Sequence, residues 1–95
     1  MTAYEDRPLV QLSPADMALV HAVLIAHAAA VAKLEATYRQ DASRIAAVKA
    51  PPGEVAERAA GRQRARGARI RRADLMKAEA EALARIATYF SPVGA

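Results

Sequence analysis

Pro51-Pro52-Gly53 cuts this chain into two segments of equal length, residues 14–50 and 54–90, and no other feature constrains the fold as much. Proline lacks the amide proton a helix needs and pushes the residue before it out of the α region, so a helix arriving at residue 50 must stop. The first segment opens on Ser13-Pro14-Ala15-Asp16, in which Ser13 can cap, Pro14 suits the first turn and Asp16 completes an S-x-x-D box. The second begins with Glu54 and Glu57, acids suited to the positive end of a helix, and stops at Ser91-Pro92. The sequence therefore predicts an all-α fold: helix 14–50, turn 51–53 and helix 54–90, closed into an antiparallel, coiled-coil-like two-helix hairpin. Residues 1–13 read as an extended N-terminal arm and residues 91–95 as a C-terminal tail.

A heptad runs through the first helix. Met17, Leu24, Val31, Tyr38 and Ile45 recur every seven residues, with Val20, His27, Leu34, Asp41 and Val48 offset by three. In the second helix the pattern survives only at Met76, Leu83 and Phe90. The first half of helix 1 is apolar well beyond one seam, since Leu19, Val23 and Ile25 lie outside it among many alanines. A helix apolar over so wide an arc is buried on more than one side. Alanine supplies 26 of the 95 residues, so a lone hairpin buries little apolar area and partner chains become a source of stability. Self-association into a four-helix bundle or a helical ring is expected. Its interface would use Leu19, Val20, Val23 and Leu24, followed by Ile25, His27 and Val31. A different partner protein, or Leu9, Val10 and Leu12 folded back across the face, are the competing explanations.

Little in the chain suggests catalysis, and a non-enzymatic protein without metal or cofactor is the expectation. There is no cysteine, which removes disulfides and thiolate chemistry. His21 and His27 stand six residues apart, out of line on a helix, so they cannot chelate one ion together. Histidines among alanines are expected to pack or hydrogen-bond across an interface. Glu35–Arg39, Glu54–Arg58, Lys77–Glu81 and Glu81–Arg85 have the spacing of surface helix pairs. Asp41, on the seam, is expected to pair with an arginine of helix 2 and fix the register. The uncharged run Met17–Ala32 is shorter than the roughly 20 residues that span a bilayer, and MTAYEDRPLV is not a secretory leader. A cytoplasmic protein without membrane contact is expected.

The net charge of +4 belongs to the second half. Residues 62–72, RQRARGARIRR, hold six arginines, and no acid interrupts the stretch between Glu57 and Asp74. At 100° per residue, Arg58, Arg62, Arg66, Arg69 and Arg72 share an arc of about 120°, while Arg64 and Arg71 point to the other side. Such a stripe suits the phosphate backbone of DNA or RNA without reading sequence, because no aromatic residue interleaves it. The expected function is a nucleic-acid-contacting, self-associating hairpin, such as a small DNA-packaging or assembly subunit of a phage-like system. The alternative is an adaptor or assembly chaperone whose arginines dock on an acidic partner protein.

Overall fold

A computed structural model describes residues 11–91, and the ends of the proposed arm and tail, together with Leu9 and Val10, lie outside them. The architecture is two helices, α1 (Pro14–Ala47) and α2 (Ala56–Ala87), with a 3-10 turn at Thr88–Phe90 and no strand among the described residues. Cross-hairpin partners run in opposite directions along the chain, 21 with 87 and 39 with 74, so the two helices pack antiparallel.

The boundaries follow from local chemistry. Ser13 is the N-cap of α1, its hydroxyl accepting the Asp16 amide at 3.1 Å, with Pro14 in the first turn. The helix stops three residues before the expected position, and Val48 is already extended. The Glu54 amide donates to the Pro51 carbonyl at 3.1 Å, closing a tight turn in which Gly53 has φ +77°. Proline second and a left-handed glycine third are what a type II turn requires. Helix α2 starts at Ala56 rather than Glu54, with Val55 as an N-cap that offers no side-chain oxygen. Glu54 is thereby released from the helix.

The core is made of alanine. Among the described residues the buried ones are Ala28, Val31, Ala42, Ala73 and Ala87, and no large side chain is fully buried. The heptad of Met17, Leu24, Val31, Tyr38 and Ile45 does face α2, as all five are buried or half-buried. Its companion set differs from expectation. His21, Ala28, Glu35 and Ala42, offset by four, complete the seam, whereas His27, Leu34 and Val48 of the offset-by-three set are exposed. Buried alanines on both helices, 28 and 42 on α1 and 73 and 87 on α2, make a contact line of small side chains, which favours a short interaxial distance. Larger side chains then fit only beside the contact line. Met76, Leu83 and Phe90 are half-buried for that reason.

Candidate nucleic-acid interface

All five arginines of the stripe lie on α2 near the turn, but α1 divides them. Their arc is the side of α2 that meets α1, since Ala73 at its edge is completely buried. Long side chains on that face must leave sideways. Arg66 emerges on one flank, sharing a shallow groove with Arg39, Ser43 and Ile70. Arg69 and Arg72 emerge on the other flank beside Tyr38 and Asp41. Arg58 is exposed in the first turn of α2.

Arg62 is spoken for. Both its terminal nitrogens donate to the Glu54 carboxylate, Nη2 to Oε2 at 2.6 Å and Nη1 to Oε1. The Glu54 side chain is only 6% exposed, and the forked pair ties the connecting turn to α2. The hydrogen bond from Arg62 holds the Glu54 carboxyl below its usual range, against the opposing effect of burial, and raises the pKa of Arg62. The Glu54–Arg58 pair expected from i,i+4 spacing gives way to this one because Glu54 is not part of the helix. Arg72 is also engaged: its guanidinium carbon sits 5.9 Å from the centre of the Tyr38 ring, with Nε 3.5 Å from the hydroxyl. That contact leaves Arg72 exposed and charged, and it raises its pKa.

The remaining ion pairs rearrange the expected register lock. Asp41 does not cross the hairpin; it faces Arg44 of its own helix at 3.6 Å. The crossing pair has the opposite polarity, with Arg39 of α1 donating to Asp74 of α2 at 3.1 Å and to Glu35 at 2.8 Å. The two carboxylates, Glu35 foremost, raise the pKa of Arg39. Asp41 loses the role because it lies outside the alanine contact line, on the flank with Tyr38, where Arg44 is one turn away.

Arg64 and Arg71 do turn away from α1, and their positions explain two glycines. The Arg71 guanidinium lies back over Gly67, 3.3 Å from where a Cβ would stand, and Arg64 reaches over Gly61 at 3.9 Å. Helical side chains lean toward the N-terminus, so an arginine three or four residues after a glycine covers the bare backbone. The turn half of the hairpin is consequently basic on every side. Residues 36–72 carry ten basic and three acidic side chains, net +7. The described residues of the open half, 11–35 and 73–91, carry three basic and five acidic, net −2. Sequence reasoning missed Arg39, which pairing brings beside Arg66 from α1. The signal lay in the hairpin itself, since residues just before the turn must neighbour those just after it.

At the open half, Leu19, Val23, Ile25 and His27 are exposed, Val20 and Leu24 half-buried, and Val31 buried against α2 within the hairpin. His21 rather than His27 makes the cross-helix hydrogen bond, to the Ala87 carbonyl. No group of three acidic or histidine side chains suited to a metal occurs among the described residues. No family model, curated protein or solved structure matches the chain.

Proposed function

We propose that this protein is a non-enzymatic assembly or packaging component that grips nucleic-acid backbone with its turn half and self-associates through its open half. The supporting observation is the uncommitted charge at the turn: Arg58, Arg64, Arg66, Arg69 and Arg71 have no acidic partner among the described residues. Uncompensated guanidinium groups repel one another, and an array of phosphates removes that cost while counterions are released. From Arg58 to Arg72 the helix advances about 21 Å, the length of roughly six phosphates along one strand. Because α1 separates Arg66 from Arg69 and Arg72, the contacts grip the backbone from two flanks and are not aimed at base edges. Self-association into a four-helix assembly would cover the apolar surface at the other end.

The test is binding of unrelated DNA and RNA duplexes across a salt series. Affinity should be independent of sequence and fall with salt at a log–log slope of about −0.9 per phosphate neutralised, or roughly −3 to −4 for three or four contacts. Arg66→Ala with Arg69→Ala should make the slope shallower by about 2, whereas Arg62→Ala should act chiefly on stability. Absence of binding at low salt overturns the reading.

A further inference from the structure

Leu19, Val23, Ala26, Ala30 and Leu34 form a ridge along α1 on the side away from α2, and all five are exposed. Their spacing of four, three, four and four keeps them on one helical face. Leu19 is 64%, Val23 57% and Leu34 48% exposed, although the segment between them carries a single charge, Lys33. The side chains are large at both ends of the ridge and small in the middle, so the ridge reads nearly the same in either direction about residues 26 and 27. A surface with that property is complementary to its own copy under a two-fold rotation.

We infer that a second copy of this chain covers the ridge, laid antiparallel to the first with α1 against α1, so that the dimer carries its two basic turns at opposite ends and bridges two nucleic-acid segments. Leu19 of each copy then meets Leu34 of the other, and Ala26 lies at the two-fold axis, where small side chains permit close approach. Charge selects this orientation. A parallel pair would set two turn halves of net +7 side by side, whereas the antiparallel pair holds them at opposite ends. The chain also has surface to spare: it exposes 7567 Å², against about 5,300 Å² for a compact monomer of its mass. The difference exceeds the roughly 800 Å² per partner of a standard interface.

Lipid fits the ridge less well. Helix α1 is long and apolar enough to cross a membrane, but it lies beside the α2 segment bearing Asp74, Lys77, Glu79, Glu81 and Arg85. Drawing the hairpin into hydrocarbon would take those charges with it, at about 2.5–3.5 kcal/mol each near the bilayer centre. A second copy covers the ridge and leaves them in water. From the two-fold axis to the turn is about 35 Å of helix, so the basic ends stand about 70 Å apart. The bridging rests on the nucleic-acid reading above; the dimer does not.

The chain has no cysteine, so single cysteines report the dimer directly. Spin labels at Ala29→Cys, beside the ridge, should lie within about 20 Å of each other and labels at Ala15→Cys about 35 Å apart, in a species of twice the monomer mass. Leu19→Arg, at an exposed position, should keep its helical circular dichroism and lose the dimer. A monomeric wild type overturns the inference, as does a short Ala15→Cys distance, which marks a parallel pair. Binding of the monomer to phosphatidylcholine vesicles overturns it in favour of lipid. For bridging, an immobilised duplex loaded with protein should capture a second, labelled duplex, and Leu19→Arg should bind the first without capturing the second. Failure of the wild type to capture while binding one duplex overturns the bridging alone. Failure to bind any duplex overturns it together with the nucleic-acid reading, and the label distances still decide the dimer.

Discussion

His21 Nδ1 donates a hydrogen bond to the carbonyl oxygen of Ala87 at 2.8 Å, across 66 residues of chain. A carbonyl oxygen can only accept, so the bond fixes the proton on Nδ1. It also reaches the carbonyl at which α2 gives way to the 3-10 turn, tying that junction to α1. His21→Ala should cost about 1 kcal/mol in urea unfolding, the usual net worth of a hydrogen bond. His27→Ala, at an exposed position, should stay within about 0.5 kcal/mol if measured on the monomer. Equal effects from the two would remove His21 from the hairpin's closure.

Stability should weaken on acidification through Glu54. Its folded pKa lies below the unfolded value of about 4.5, because Arg62 hydrogen-bonds the carboxylate. Below that value the unfolded chain therefore binds more protons than the folded one. The contribution is complete above pH 4.5 and is lost as the pH falls through the lower, folded value. Glu54→Gln should reduce the acid dependence of the melting temperature in this range while leaving the neutral-to-alkaline part unchanged in shape.

The three glycines of the hairpin should separate by sign. Gly61 and Gly67 sit inside α2, where alanine is favoured by up to about 1 kcal/mol. At Gly67 only the flexible tip of Arg71 must move aside, and at Gly61 the nearest atom already lies at ordinary contact distance. Gly61→Ala and Gly67→Ala should raise the melting temperature. Gly53→Ala should lower it, at a cost of about 1–2 kcal/mol, because its φ of +77° suits only glycine well.

The register ion pair predicts a small but asymmetric result. Asp74→Ala removes the cross-hairpin partner of Arg39 and should cost less than about 1 kcal/mol, since both side chains are well exposed. Asp41→Ala breaks only a 3.6 Å contact within α1 and should be near neutral. Chemical denaturation of the two variants side by side checks the order.

The helices, their antiparallel pairing and the position of the turn were legible because Ser13-Pro14 and Pro51-Pro52-Gly53 act locally, through capping and missing amide protons. The exact ends were less so: Glu54 reads as a helix-start acid, yet the type II turn leaves it outside α2 and hands it to Arg62. The companion seam was misread by one residue because apolarity pointed to Leu34 and Val48. Close approach instead selected alanines at 28 and 42, and the wheel of apolar residues cannot show how near two axes come.

By itself, then, the sequence determined two long helices, the division of charge between their ends and an apolar excess on α1. Those are properties of short-range spacing and composition. Only the tertiary structure decided which arginines are spent and which remain available. Arg62 is spent on Glu54, whereas Arg72 rests on Tyr38 and stays exposed, and α1 sends Arg66 to one flank and Arg69 to the other. A helical wheel places all five on one arc; α1, lying along that arc, makes it two edges.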